Sequence, residues 1–193
     1  YDYVIVGSGS AGCVLAARLS EDPNVSVCLL EAGGSDRNLN VKIPAAFAKL
    51  FRSDRDWGYF SDPEPGLMGR RLYMPRGKMI GGSSSMNAML YVRGNRVDYD
   101  GWAKDGATGW SFDEVLPYFK KSENNTELGG EYHGKEGPLS VTKLQTDNPV
   151  HEIYLQAARE AQFKINEDFN GPDQEGLGIY QVTQKNGERW SAA

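Results

Sequence analysis

The apolar positions in the first thirty residues change period twice. Tyr3 to Val6 is a continuous apolar run, Val14, Leu15, Ala16, Ala17 and Leu19 recur at helical spacing, and Val25 to Leu30 is again nearly continuous. This order predicts strand, helix, strand, with both strands buried and Pro23 and Asn24 closing the helical region. Ser111 followed three residues later by Glu114 has the form of a capping box. Residues 112 to 122 are therefore expected to be a helix that turns Val115, Leu116 and Phe119 to a core. Asn148 as cap and Pro149 in the first turn predict a later helix that buries Val150, Ile153, Tyr154, Ala157 and Ala161. Residues 178 to 184 alternate as a strand does.

Between the first strand and the first helix stand Gly7, Ser8, Gly9, Ser10, Ala11 and Gly12. In this spacing Gly7 permits a tight turn, Gly9 lets the main chain approach a pyrophosphate, and Gly12 lets the helix lie close to the sheet. The helix start offers N–H groups and a positive dipole end to phosphates. Glu31, 19 residues beyond Gly12 at the tip of the second strand, is placed to accept hydrogen bonds from both hydroxyls of an adenosine ribose, and it would repel a 2′-phosphate. The fold class predicted is α/β, a Rossmann-like βαβ unit with a parallel sheet that binds a dinucleotide. NAD and FAD proteins share this half-fold, and it does not choose between them.

Composition removes several classes of function. The 193 residues carry a net charge of −5 with the signs intermixed and no basic stripe, which argues against nucleic acid as a partner. No apolar run approaches the length of a spanning helix, so no transmembrane segment is expected. Cys13 and Cys28 sit in apolar segments without CxxC spacing. They are expected to be buried free thiols in a reducing compartment, with no zinc site or disulfide. The chain opens on a strand without an initiator Met and stops where a helix is expected to begin, at Trp190 to Ala193, as a piece of a longer polypeptide would.

A second stretch of low bulk, GGSSSMNAM at 81 to 89, runs into the apolar and aromatic LYV, which sets it apart from a flexible linker. With it, several further blocks carry a family resemblance. They are Gly7 to Gly12, LLEAGG at 29 to 34, DWGY at 56 to 59, RRLYMPRGKMIGGSSSMNAMLYVRGN at 70 to 95, DYDGWA at 98 to 103, GWSFDEVLPYFKKSE at 109 to 123 and YQVTQKNGERWSAA at 180 to 193. Along its whole length the chain resembles the glucose-methanol-choline oxidoreductases, flavoenzymes that oxidise alcohols, and it looks nearer to choline dehydrogenase-like and alcohol dehydrogenase members than to sugar oxidases.

The resemblance implies FAD, with the GG turn and the serines passing against the flavin and its pyrophosphate and the Asn-Ala-Met segment lying along the isoalloxazine ring. The missing side-chain bulk would be the footprint of that ring. The cofactor-binding residues implied are Gly7, Ser8, Gly9, Ser10, Ala11, Gly12, Glu31, Ala32, Trp57, Arg76, Met79, Gly81, Gly82, Ser83, Asn87, Ala88, Met89 and Leu90. Some members bond FAD through a His immediately before the Asn. Met86 holds that position here, so FAD is expected to be held without a covalent link. The family's catalytic His lies in the C-terminal portion, so no catalytic residue is assigned, and His133 and His151 are expected in structural or surface roles. Arg70, Arg71, Arg76, Arg93 and Arg96 could reach phosphates, though a solvated cluster is the commoner fate of such charges.

The implied organisation is an FAD-binding domain over 1–147, with a lid-like extension around 40–100, and the incomplete beginning of an α+β substrate domain over 148–193. The implied reaction is oxidation of a small-molecule alcohol to an aldehyde or ketone by hydride transfer to flavin N5, with a quinone or another electron acceptor. An oxygen-using oxidase, a lyase on the same scaffold and a non-catalytic nucleotide-binding fragment stand as alternatives, and the segment alone is expected to be inactive. The expected location is cytoplasmic, at most peripheral to the inner membrane.

Overall fold

The computed structural model describes residues 1–193, which form two compact units, Tyr1–Met89 with Asn186–Ala193, and Leu90–Lys185. In the first unit β1 (Tyr3–Val6) and β2 (Val27–Leu30) pair in parallel, Tyr3 opposite Val27 and Val6 opposite Leu30, and α1 (Ser10–Leu19) packs against both. The βαβ order read from the periodicity is present. The expected burial is not, since Val4, Val6, Leu29 and Leu30 are exposed, Val6 to 84 %. A two-stranded sheet has two apolar faces, and continuous apolar runs reach full burial only when layers cover both. Cys13 and Cys28 are free thiols but half-buried, for the same reason.

After β2 come α2 (Leu39–Lys42), a 3-10 helix (Pro44–Leu50), and the antiparallel pair β3 (Tyr59–Phe60) and β4 (Tyr73–Met74). Asn38 caps α2, its side chain accepting from the Asn40 N–H at 2.8 Å. Val41, Leu50, Met79 and Met86 make one buried cluster with Phe51 packed on it, so distant stretches of sequence share a core. Each such side chain taken fully out of water contributes about 1.5 to 3 kcal/mol, and this cluster, rather than the sheet, is where the unit removes apolar surface. Asp56 ties the loop before β3 to β4. Its buried carboxylate accepts from the N–H groups of Arg52, Gly58 and Arg76 and from the Tyr73 hydroxyl. Burial works to raise its pKa, and these donors outweigh it, bringing the group to about 2.

The second unit contains α3 (Arg96–Lys104), α4 (Phe112–Ser122), β5 (Glu123–Asn125), β6 (Leu139–Lys143), α5 (Val150–Glu160) and β7 (Gln181–Val182). The sheet runs β5-β6-β7, its first pair parallel and its second antiparallel. The box that begins α4 is formed, the Ser111 N–H donating to Glu114 Oε2 at 3.0 Å, and Val115, Leu116 and Phe119 are half-buried. At α5 Asn148 Oδ1 accepts from the Val150 N–H at 3.0 Å, as expected of a cap. The expected buried face is corrected: Val150, Ile153, Tyr154, Ala157 and Ala161 are exposed, and Ala158 is the buried residue. Periodicity marks an apolar stripe without guaranteeing a layer to cover it. The boundary expected at 147 falls inside this unit, between β6 and α5. No helix is long and apolar enough to cross a membrane.

Candidate functional site

The three glycines of the first turn do three different things. Gly7 has φ +92°, a conformation that side chains avoid. A Cβ at Gly12 would lie 1.9 Å from the Gly7 carbonyl oxygen, so α1 could not sit where it does. A Cβ at Gly9 would meet no protein atom within 4 Å. The fold therefore demands Gly7 and Gly12, while Gly9 leaves main chain open to approach at the start of α1. No side chain caps that helix, and Ser10 and Ala11 are exposed in its first turn. Unpaired N–H groups and the positive end of the helix dipole make this a place for an anionic group.

Glu31 closes one side of the turn. Its Oε2 accepts from the Ser8 N–H at 2.8 Å and the Ser8 hydroxyl at 2.7 Å, and its Oε1 accepts from the Gly33 N–H at 2.7 Å. Burial works to raise the carboxyl's pKa, but the Ser8 and Gly33 donors outweigh it and hold the group ionised below its ordinary value. Ser8 and Gly33 use three of roughly four lone-pair sites on a side chain locked in orientation, and the Ala32 N–H also helps to lower its pKa. Ser8 itself is buried, and its carbonyl accepts from the Gly81 N–H at 2.8 Å and the Cys13 thiol at 3.1 Å. Its polar atoms serve the turn and present nothing outward. Ala32 is exposed beside Glu31.

The 77–89 stretch meets this turn backbone to backbone. A Cβ on Gly82 would lie 2.7 Å from Gly9 Cα, one on Gly33 would lie 2.1 Å from the Lys78 carbonyl oxygen, and one on Gly77 would lie 2.3 Å from the Gly82 carbonyl oxygen. Gly81 is closed off by Ser85 Oγ at 2.1 Å from a built Cβ. At Gly77, Gly81 and Gly82 the protein's own atoms already exclude a side chain. The 3-10 turn Gly82–Ser85 then leads through buried Met86 to Asn87 and Ala88, both exposed, and to buried Met89. Met89 has φ +62°, a left-handed conformation that costs a non-glycine residue about 1 to 2 kcal/mol. Asn87 Oδ1, accepting from the Met89 N–H at 3.0 Å, holds it there.

Other expected site residues sort by burial. Met79 is 0 % exposed and belongs to the core, so its side chain faces no ligand. Ser83 is half-buried, its hydroxyl oxygen accepting from the Gly77 N–H at 3.1 Å. Trp57 is exposed, lies parallel to Tyr59 at 5.8 Å between ring centroids, and carries the Lys78 ammonium 4.6 Å above its ring. The Trp57 backbone N–H donates to the Arg76 carbonyl at 2.9 Å, which puts Trp57 and Arg76 on the ladder leading into Gly77, with the Arg76 side chain exposed. Leu90 belongs to the second unit, where it bridges Val182 and is exposed.

Residues 1–193 match the GMC oxidoreductase family throughout. The chain belongs to that family. It is 49 % identical over 195 residues to an "Alcohol dehydrogenase [acceptor]" of Pseudomonas putida, covering 100 % of this chain and 35 % of that protein. It is 48 % identical over 202 residues to mitochondrial choline dehydrogenase of Mus musculus, covering 100 % of this chain and 34 % of that one. Among solved structures it superposes on pyridoxine 4-oxidase from Mesorbium loti with TM-score 0.92 and 36 % identity, over 99 % of this chain and 38 % of the other. An FAD-dependent oxidoreductase from Chaetomium thermophilum gives TM-score 0.90 and 32 % identity, over 100 % of this chain and 35 % of that chain. The chain spans about a third of the length of the curated relatives it matches.

The second unit of this GMC chain holds a buried charge network that sequence reasoning missed. Arg93 Nη2 donates to Glu123 Oε2 at 2.8 Å, and His133 lies between Glu123 Oε1 at 3.0 Å and Asp168 Oδ2 at 2.9 Å. Burial opposes the charged imidazole, but Asp168 and Glu123 outweigh it and raise His133 to about 9. Against the opposing effect of burial, His133, Asn125, the Gly134 N–H and Arg93 keep Glu123 below the ordinary carboxylate range, and His133, the Asn170 N–H and Arg93 do the same for Asp168. His133 is structural, with both ring nitrogens engaged. Arg93 is not the solvated charge expected, whereas Arg96 is exposed and pairs with Asp113 at 2.9 Å. A cavity of about 40 Å³ nearby, lined by Arg93, Asn95, Tyr132 and Gln174, has room for a few waters and none for a flavin. In the first unit the missed residue is Arg189, which reaches Asn87 from 102 positions away. No local signal marked it, since Arg189 stands between Glu188 and Trp190 like an ordinary charged turn residue.

Proposed function

We propose that this chain carries the FAD-binding part of an enzyme that oxidises a small-molecule alcohol to an aldehyde or ketone. FAD supplies the chemistry, accepting at N5 the hydride from the alcohol carbon. The observation that carries the reading is the open backbone at Gly9 beside an uncapped helix start and a pre-oriented Glu31. The first-turn N–H groups of Ser10 and Ala11 hold the pyrophosphate, and Glu31 takes a ribose hydroxyl. Asn87 and Ala88 provide the exposed corner for the flavin end. The residues assigned here to FAD all lie in the unit made by Tyr1–Met89 and Asn186–Ala193, and the substrate domain begins within the second unit. The names of the relatives, an alcohol dehydrogenase with an acceptor and a choline dehydrogenase, favour an alcohol substrate and an acceptor such as a quinone.

No group in this chain is assigned as the base that takes the alcohol proton, because His133 already has both nitrogens bound to carboxylates. The base belongs to the remainder of the enzyme, and residues 1–193 alone are inactive. Anaerobic titration of the full-length protein with a panel of alcohols that includes choline tests the assignment: at least one should bleach the flavin absorbance. A flavoprotein that no alcohol reduces would contradict it. FAD is held without a covalent bond, since Met86 is buried in the core and a thioether cannot take the place of the imidazole. Acid precipitation should leave all the yellow colour in the supernatant, and colour in the pellet would refute this.

A further inference from the structure

Arg189 is 7 % exposed, and burial rather than any carboxylate partner governs its guanidinium. Its Nε donates to the Val41 carbonyl at 2.8 Å, and its Nη1 donates to the Ser84 carbonyl at 3.0 Å and to Asn87 Oδ1 at 2.9 Å. Nη2 is buried without a partner. Burial alone lowers the guanidinium to about 10, which says that the fold carries this cation at a cost. A buried apolar side chain would fill the same space without that cost. What the arginine does that an apolar residue could not is hold α2, the 3-10 turn and the Asn87 corner by three directed bonds.

The consequence for Asn87 is specific. Its Oδ1 takes two donors, Arg189 Nη1 and the Met89 N–H, so the carboxamide is fixed with oxygen inward. Its Nδ2 makes no hydrogen bond within the protein, and the residue is exposed. An asparagine on a surface ordinarily turns freely between its two amide orientations. Here the protein has chosen one, and the group presented outward is a donor.

We propose that Arg189 is a positioning residue, locking the Asn87 carboxamide so that Nδ2 donates to an acceptor atom of the bound flavin. The inference rests on the FAD reading above. A fixed donor at the flavin edge favours the electron-rich reduced form, so the lock also sets the redox potential. Arg189→Gln, Arg189→Lys, Asn87→Ala and the double Arg189→Gln/Asn87→Ala are to be compared in the full-length holoprotein. The readouts are the FAD dissociation constant and the flavin midpoint potential, with the melting temperature of the apoprotein alongside.

Either single loss should weaken FAD about tenfold and lower the potential, the lysine variant should recover part of both, and the double variant should be no worse than Asn87→Ala. Additive effects on affinity and potential, or a lower melting temperature with both unchanged, would overturn the role of Arg189. If the glutamine variant does not fold, Arg189→Lys with Asn87→Ala closes the same cycle. A wild-type protein that binds no FAD removes the cofactor reading and this inference together. Additivity in a wild type that does bind it removes only the inference.

Discussion

Gly12→Ala is expected to destabilise the first unit by roughly 3 kcal/mol, because the new methyl would overlap the backbone of Gly7 and neither α1 nor the turn can move aside cheaply. The built Cβ lies 1.9 Å from the Gly7 oxygen and 3.4 Å from Ile5 Cγ2, so the helix must lift from β1 to relieve it. Urea unfolding should show the midpoint falling with little change in slope. Gly9→Ala is the informative contrast. Its methyl meets no protein atom within 4 Å, so stability should change by no more than about 1 kcal/mol, the usual difference between glycine and alanine at a helix start. FAD retention should nevertheless fall at least tenfold, since the methyl would stand where a pyrophosphate approaches. A Gly9→Ala protein with unchanged FAD affinity would show that nothing comes close to that main chain.

Glu123→Ala should unfold the second unit more readily, at a cost of about 3 to 5 kcal/mol, the usual penalty for leaving buried charges without their partner. Glu123 is fully buried and serves Arg93, His133, Asn125 and the Gly134 N–H together. Its removal leaves Arg93 without an anion and His133 with Asp168 alone. The network also gives stability a defined pH dependence. His133 is raised above its unfolded value near 6.5, so its contribution is complete below that pH and is lost as pH rises through about 9. Glu123 and Asp168 are depressed, so theirs is present above the ordinary carboxylate values and is lost as pH falls through the lower folded ones. Denaturation midpoints should therefore be highest between about pH 5 and 6.5, and the decline toward pH 9 should disappear in His133→Asn. A wild-type profile flat from pH 6 to 9.5 would mean that His133 is not charged in the folded chain.

Local pattern carried a good part of this protein's description. The strand, turn and helix of residues 3–19 were readable because each depends on neighbours within a few positions: a β-branched run, a glycine that tolerates positive φ, a helical period. The same holds for the box of Ser111 and Glu114 and for the cap supplied by Asn148. Glu31 was legible as an acid at a fixed distance beyond the turn, although its bonds to Ser8 and Gly33 were not. The burial expected of β2 and of the α5 face failed together, since an apolar stripe says what a surface wants and nothing of what is there to cover it.

By itself the sequence determined the βαβ unit, the glycine turn, the acid beside it and membership of a flavoenzyme family. Only the tertiary structure decided that Gly82 rests on Gly9, that Met79 and Met86 are core, that Arg189 reaches Asn87, and that His133 joins two carboxylates. The physical reason is one of range. Turn and helix energies are set within a few residues, whereas the exclusion of a side chain or the pairing of a buried charge depends on atoms brought together from 10 to 102 positions away.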